Sequence, residues 1–140
     1  MDSQQQIACF VTPHGFGHAT RMTGILEALQ QKIPDLHPHL FTTVPEALFA
    51  ETLHSFSYHP LTCDIGLIQK NGLDADLPAT IMRLQEFLPF DHSLVNKLAE
   101  EIQGCSLVLC DIAPLGIAVA RKAGIPSVLI ENFTWDWIYQ

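Results

Sequence analysis

Short apolar runs alternate with longer amphipathic segments along most of this chain. The run 107–110 is fully apolar, which is typical of strands that are buried on both faces of a parallel sheet, whereas residues 55–61 alternate between apolar and polar positions. These patterns predict strands at roughly residues 6–12, 37–43, 55–61, 106–110 and 127–131. Each run is separated from the next by a segment long enough to cross the sheet, so we expect one parallel sheet.

The intervening segments have the spacing of amphipathic helices. In residues 22–32, apolar side chains recur every three or four positions, with Thr20 as a candidate N-terminal cap and Pro34 ending the helix. Residues 63–76 are rich in Gly, Asn and Asp and are expected to form a loop. The remaining predicted helices are residues 45–53, residues 77–103 with an interruption near Pro89, and residues 114–123 with Gly124 as C-terminal cap. The predicted class is α/β, a Rossmann-like parallel sheet with helices on both faces.

The turn after the first predicted strand is the densest polar feature of the sequence. It reads His14-Gly15-Phe16-Gly17-His18-Ala19-Thr20-Arg21 and lies between an apolar run and a helix. Gly15 and Gly17 permit a positive φ or close approach of a ligand, and a helix N-terminus attracts anions. Thr20 stands where a dinucleotide-binding fingerprint has its third small residue, and the lysine of a phosphate-binding P-loop is missing. A tight turn without a ligand is the alternative interpretation.

Other polar groups also follow predicted strands. Asp111 comes directly after the apolar run 107–110, and Glu131 and Asn132 follow the last strand. Ligands of parallel sheets bind at the carboxyl ends of strands, so these residues are expected to meet the glycine turn at one edge. Asp111 could hydrogen-bond to a hydroxyl in that cleft, or it could cap the following helix.

Composition narrows the possible partners and cofactors. The 140 residues carry a net charge of -8, with 48% apolar and 16% charged residues, which favours a globular chain and disfavours nucleic acid and anionic membranes. No signal peptide and no membrane span of ~20 apolar residues is recognisable, so the expected location is cytoplasmic. The four cysteines form no C-x-x-C pair and are expected to be buried free thiols. His37-Pro38-His39 has no acidic or cysteine partner nearby, so neither a metal nor another cofactor is expected.

The C-terminal segment is rich in aromatic residues. Asn132-Phe133-Thr134-Trp135-Asp136-Trp137-Ile138-Tyr139 contains both tryptophans of the chain and one of its two tyrosines. Aromatic faces can stack on sugars, but they equally pack against a further protein segment, and packing is the interpretation that we favour. Exposed Trp135, Trp137 and Tyr139 are therefore expected to promote self-association.

Four motifs together resemble the N-terminal lobe of the two-lobed GT-B glycosyltransferases. They are the glycine turn, the aromatic segment, Asp111-Ile112-Ala113-Pro114 and Ala123-Gly124-Ile125-Pro126-Ser127. The turn and the aromatic segment are most similar to the glycosyltransferase-like N-terminal region of plant L-arabinokinases and related bacterial proteins. The likeness extends from Cys9 to Tyr139, and the aromatic segment is the more specific motif. Pro13 departs from the pattern, which favours a glycine or a small polar residue there.

The resemblance implies that residues 1–140 form an incomplete, acceptor-side N-terminal domain. The C-terminal lobe, which holds most of the nucleotide-sugar donor in GT-B enzymes, would be supplied by a further segment or a second chain. The implied reaction transfers a sugar from the donor to an acceptor hydroxyl, and the chain alone would be inactive. The resemblance implies two catalytic residues: His18, as a base or as a hydrogen-bond donor to the acceptor or phosphate, and Asp111, which would orient a hydroxyl. It assigns substrate binding to His14, Gly15, Phe16, Gly17, Arg21 and Asn132. A non-catalytic sugar- or nucleotide-sensing domain of a sugar kinase and a structural piece without ligand remain the alternatives.

Overall fold

The fold is described by a computed structural model that covers residues 4–133. Strands and helices alternate along this range as β1 (Gln6–Val11), α1 (Phe16–Lys32), β2 (His37–Thr42), α2 (Glu46–Ala50), β3 (Ser57–Pro60), α3 (Leu77–Phe87), α4 (His92–Glu101), β4 (Leu107–Asp111), α5 (Pro114–Ala123) and β5 (Ser127–Ile130). Every strand predicted from an apolar run is present. The aromatic residues Trp135, Trp137 and Tyr139 lie outside the described range, so their predicted exposure stays a prediction.

The strands form one parallel sheet in the order β3-β2-β1-β4-β5. The predicted Rossmann-like class is therefore confirmed. The chain moves from β1 towards one edge of the sheet and then returns to place β4 on the other side of β1. A crevice opens at such a change of direction, at the carboxyl ends of the two central strands. In this chain the glycine turn follows β1, and Asp111 ends β4.

Alternating residues of the central strands fill two apolar layers. On one face of the sheet, α1 and α2 cover a layer that includes Cys9, Val11, Met22, Leu26 and Phe49. On the other face, α4 and α5 cover a layer that includes Phe10, Cys110, Leu98, Leu115 and Val119. Helices on both faces exclude water from the central strands, so only their carboxyl ends are open to a ligand.

Helix α1 begins at Phe16, six residues before the predicted start. The predicted cap at Thr20 is wrong, because Thr20 lies inside the helix and its hydroxyl donates to the Phe16 carbonyl at 2.9 Å. Gly15 is the N-cap residue instead, with a φ of 81°. The early turn was not apparent from the sequence because its side chains serve the sheet edge, and apolar periodicity starts only at Met22.

The predicted interruption near Pro89 is confirmed and divides the segment into α3 and α4. The Asp76 side chain caps α3 by accepting from Ala79 N, and the Asp91 side chain caps α4 by accepting from Ser93 N. Helix α5 spans the predicted residues, and Gly124 ends it in the left-handed conformation. Helix α2 is shorter than predicted, with five residues.

The four cysteines are free and buried, as predicted from their apolar surroundings. Burial raises the pKa of the Cys105 thiol to about 11 and that of the Cys110 thiol to about 12. The pKa values of Cys9 and Cys63 are also raised, again mainly by burial. Among the helices of residues 4–133, none has the length and apolar character needed to cross a lipid bilayer.

Candidate functional site

Asp111 is the centre of the candidate site. It is the last residue of β4, and its side chain is fully buried at the carboxyl edge of the sheet. Its main chain is fixed there, because Val11 of β1 is its register partner and Thr12 N donates to its carbonyl at 3.1 Å. A carboxylate without water needs donors from the protein, since burying an unpaired charge costs several kcal/mol.

Two side chains of α1 supply those donors. Arg21 Nε lies 2.8 Å from Asp111 Oδ2, and one terminal nitrogen of the same guanidinium lies 2.6 Å from Oδ1. His18 Nδ1 lies 2.9 Å from Oδ1. His18 and Arg21 are three residues apart in one helix, so both side chains reach the same side. The hydrogen bond to Asp111 raises the pKa of Arg21, which therefore remains a cation.

This arrangement assigns the protons of the imidazole. Two groups contact His18 Nδ1: Asp111 Oδ1 at 2.9 Å, which can only accept, and a terminal nitrogen of Arg21 at 3.3 Å, which can only donate. The shorter contact, to the carboxylate, favours a proton on Nδ1 and leaves Nε2 to face a ligand. The His18 side chain keeps 13% of its surface exposed, whereas that of Asp111 keeps none. Nε2 has no hydrogen-bond partner among the described residues. The pair therefore presents an oriented imidazole at the sheet edge.

The glycine turn surrounds this imidazole with open backbone. Gly15 needs glycine because its φ is positive, and no side chain of the described residues caps the N-terminus of α1. A Cβ added at Gly17 would meet no atom within 4 Å, so the fold itself does not require a glycine there. Space beside Gly17 is consistent with the expected approach of a ligand to the backbone.

A buried hydrogen-bonded brace supports the turn from the other side. The Thr12 hydroxyl donates to Asp64 Oδ2 at 2.5 Å and accepts from His14 N at 3.3 Å. Gly66 N donates to the other oxygen of Asp64 at 3.3 Å. The loop after β3 is thereby attached to the end of β1. Thr12 and Asp64 were not predicted as site residues, because no local pattern connects positions 52 residues apart.

Phe133 belongs to the aromatic segment but was not predicted as a site residue. Its ring lies edge-on to the His18 imidazole, with 6.1 Å between the centroids and 74° between the planes. Asn132 and Glu131 are exposed beside it. Phe16, in the first turn of α1, has 64% of its surface exposed. Apolar rings therefore accompany the polar groups at this edge of the sheet.

The predicted convergence of the glycine turn and Asp111 is confirmed by these contacts. The alternative in which Asp111 caps α5 is wrong, because the N-cap residue is Ala113 and no side chain caps that helix among the described residues. Since both carboxylate oxygens of Asp111 are held by Arg21 and His18, Asp111 is placed to orient the imidazole. The sequence had instead suggested that Asp111 orients a ligand hydroxyl and that Arg21 pairs with a ligand.

Ile112, which follows Asp111, has a φ of 46°, unusual for a β-branched residue. This conformation turns the chain sharply between the buried carboxylate and α5. Within residues 4–133, no three His, Cys, Asp or Glu side chains are grouped so that they could hold a metal ion.

The fold is that of one lobe of the GT-B glycosyltransferases. The structure of Phytolacca americana UGT2 complexed with UDP-2-fluoro-glucose and pterostilbene matches 92% of this chain and 31% of that chain, with a TM-score of 0.60 and 22% identity. A UGT transferase from Siraitia grosvenorii in complex with UDP matches 90% of this chain and 27% of that chain, with a TM-score of 0.56 and 14% identity. These likenesses establish the fold alone.

The same architecture also occurs in a domain of a protein that is named a hydrogenase. The C-terminal domain of a hydrogenase from Pyrococcus furiosus matches 94% of this chain and 95% of that domain, with a TM-score of 0.51 and 13% identity. A shared fold does not decide function, so the site residues must carry that argument.

In sequence, the chain is similar to L-arabinokinase from Arabidopsis thaliana. The two are 30% identical over an alignment 139 residues long. The alignment covers 94% of this chain and 13% of the kinase. The resemblance predicted from the glycine turn and the aromatic segment is thus confirmed. This chain spans about an eighth of the length of that relative. No protein-family profile matches this chain.

Proposed function

We propose that this chain is the acceptor-side lobe of a glycosyltransferase-like protein, with His18 as the base that activates an acceptor hydroxyl. One observation carries the proposal: His18 Nδ1 lies 2.9 Å from the buried Asp111 carboxylate, and Nε2 has no hydrogen-bond partner among the described residues. General bases in proteins require this combination of an oriented ring and an accessible basic nitrogen. The GT-B-like fold supports nucleotide-sugar chemistry at this edge.

In the proposed transfer step, His18 Nε2 takes the proton from the acceptor hydroxyl while the acceptor oxygen forms a bond to the anomeric carbon of the donor sugar. The bond between that carbon and the nucleotide phosphate breaks, and the nucleotide leaves with the electron pair. The imidazolium formed at His18 is stabilised by Asp111, which stays ionised. Asp111 is a positioning residue, because it acts through His18 and touches no reacting atom.

Arg21 changes how the Asp111 carboxylate acts on His18. Its guanidinium holds both oxygens of Asp111, so the carboxylate is already neutralised before the imidazole is protonated. The advantage is orientation, because a carboxylate with a two-point contact cannot rotate away from His18. The disadvantage is that a paired carboxylate stabilises an imidazolium less than a free one does. Arg21 thus favours a base that is precisely placed over one that is strongly basic.

The proposed reaction needs a second wall to the site. The transferases of similar fold are about three times as long as the segment matched by this chain, which covers 27% and 31% of them. A single wall cannot hold the donor against the acceptor or exclude water, and orientation can account for ~7–11 kcal/mol of a barrier. We therefore expect no sugar transfer by the 140 residues alone and weak ligand binding at most.

A second candidate is a sugar- or nucleotide-sensing domain without transfer activity. The observation that favours it is the 30% identity with L-arabinokinase, whose name describes a kinase. A sensing domain would use the same sheet edge for binding, and His18 would donate or accept a hydrogen bond without taking a proton from the ligand.

The experiment that tests the proposal measures UDP release from UDP-glucose and other UDP-sugars by this chain together with the C-terminal lobe that the proposal requires, supplied as a further segment or as a second chain. His18→Ala is expected to lower the rate by about 10²–10⁴-fold, as loss of a general base does. His54→Ala is the matched control, because His54 is exposed, and it should leave the rate unchanged. Equal rates for His18→Ala and the parent would refute the role of His18. Saturable UDP-sugar binding without UDP release in the parent protein would instead favour the sensing domain.

A further inference from the structure

We infer that His39 and His59 form a proton-sensitive latch that holds the edge strand β3 against β2 at neutral pH and weakens in mild acid. The two residues lie on neighbouring strands, and His39 Nδ1 is 3.2 Å from His59 Nε2. Strand β3 has four residues and is at the edge of the sheet, with β2 as its neighbour. Side-chain contacts therefore contribute a large share of what keeps it in place.

The latch is part of a column of rings across one face of the sheet. Phe10 stacks on Phe41 with 4.7 Å between centroids, and Phe41 stacks on His59 at 4.5 Å. His59 stacks in turn on His39 at 5.4 Å, and His37 meets His39 edge-on at 5.2 Å. The column connects the central strand β1 to the edge strand β3, so a change in the histidines acts on the packing of the edge.

The hydrogen bond between the two imidazoles requires one neutral acceptor. One of the facing nitrogens must carry a hydrogen and the other a lone pair, so the bond can exist while the pair carries zero or one extra proton. When both rings are protonated, both facing nitrogens are donors and the bond becomes a repulsion between two cations. The pair must therefore take up its protons in two separated steps.

The surroundings of His39 make protonation of the pair costly. Nε2 of His39 is buried and has no hydrogen-bond partner among residues 4–133, so a hydrogen there would be an unpaired donor. A protonated pair that keeps the bond between His39 Nδ1 and His59 Nε2 needs that hydrogen. Burial and the neighbouring imidazoles of His37 and His59 lower the pKa of His39. A lowered histidine pKa means that the unfolded chain binds more protons, so stability falls as the pH drops from about 6.5 towards the folded-state value.

The other polar groups around the latch do not offset a second charge. Both nitrogens of His37 are held by hydroxyls, Nδ1 by Ser55 and Nε2 by Ser57, each at 2.8 Å. From α4, Lys97 and Glu101 line the same groove as His59, and they lie 3.9 Å apart as an ion pair. Their opposite charges largely cancel at His59. The register partners on β1 are Gln6 opposite His37 and Ala8 opposite His39, and neither is charged.

The test compares amide hydrogen exchange of residues 57–59 and 61 in the full 140-residue chain at pH 7.5 and pH 5.0, corrected for intrinsic exchange rates. The protection factors of these amides are expected to fall by about tenfold in acid, relative to amides of β1, because the opened edge takes up protons that the closed pair excludes. In His39→Gln the fall should be less than about threefold. A glutamine amide can donate to neutral His59 through its nitrogen and accept from protonated His59 through its oxygen.

His54→Gln is the matched control, because His54 is exposed, and it should behave like the parent chain. Protection of residues 57–59 and 61 that does not change with pH, or that falls equally in His39→Gln, would overturn the latch. If His39→Gln does not fold, histidine NMR signals of the parent chain decide instead. Two separated titration steps shared by His39 and His59 support the latch, and two independent single steps refute it.

Discussion

His18 Nδ1 lies 2.9 Å from Asp111 Oδ1, although 93 residues separate the two along the chain. One belongs to the first turns of α1 and the other ends β4, so their meeting depends on β4 pairing with β1. The parallel register places Val11 opposite Asp111, and the chain then needs only the turn at residues 12–15 to bring α1 back over the carboxylate. The candidate site is therefore a direct consequence of the strand order.

Replacing Asp111 by Asn should destabilise the chain. The substitution keeps the size of the side chain but removes the charge that accepts from Arg21 and His18 in a fully buried position. We expect the free energy of unfolding to fall by about 1–3 kcal/mol, the cost of buried hydrogen-bonding groups that lose good partners. Urea denaturation measures it, with Asp35→Asn, at an exposed position, as control. Equal midpoints for the two variants would show that the pair contributes no stability.

Gly17→Ala should separate binding from folding. An added methyl group at Gly17 meets no atom of another part of residues 4–133 within 4 Å, and the position is helical, so stability should be unchanged or higher by up to about 1 kcal/mol. If a ligand uses that space, UDP release by this chain together with its C-terminal lobe should fall at the same time. Gly24→Ala is the matched control, because it lies in the same helix and also faces open space. Unchanged rates in both variants would remove Gly17 from the proposed site.

Gly116→Ala should have the opposite effect on stability. A Cβ at this position would lie 2.7 Å from Cys110 Sγ and 2.7 Å from Phe10 Cγ, which is closer than such atoms can approach. Helix α5 would have to move away from the sheet, and we expect a loss of about 1–3 kcal/mol. Thermal or urea denaturation next to Gly24→Ala shows whether the sign differs between the two glycines. A stabilised Gly116→Ala would mean that α5 packs less closely than described.

The four thiols should be inert in the folded chain. Their burial keeps reagents out, and their raised pKa values keep the reactive thiolate scarce at pH 8. A thiol reagent such as dithiobis-nitrobenzoate should therefore label none of them within minutes in buffer. It should label all four in about 8 M urea, where the chain is unfolded. Rapid labelling of the native chain would place at least one cysteine at the surface.

The same pKa shifts determine how stability depends on alkaline pH. The folded state holds its thiol protons above the pH at which the unfolded chain releases them, with Cys105 at about 11 and Cys110 at about 12. Between about pH 9 and those values the folded state binds more protons, so stability must fall as the pH rises. Urea midpoints at pH 7.5 and 9.5 should show this decrease. A Cys105→Ala variant should show a smaller decrease than the parent.

The sequence by itself determined the elements and most of their bounds. Apolar runs predicted four of the strands, alternation of apolar and polar residues predicted β3, and Pro114 and Gly124 marked both ends of α5. The glycines and the polar side chains of residues 14–21 also made this turn a candidate site. These features depend on residues close together in the chain, where the backbone conformation is a local choice. The start of α1 was missed because the side chains of its first turn lie at the sheet edge and not in the core, so the turn has no apolar periodicity.

Only the tertiary structure decided which polar residues act together. Asp111 looked like a possible helix cap, but strand pairing put it under His18 and Arg21, whose donors are stronger partners for a buried charge. His39 lies beside His59 because β2 and β3 are neighbouring strands, and Thr12 contacts Asp64 because the loop after β3 reaches the end of β1. A local pattern cannot encode such partners, because side-chain contacts across a parallel sheet are set by strand order and register.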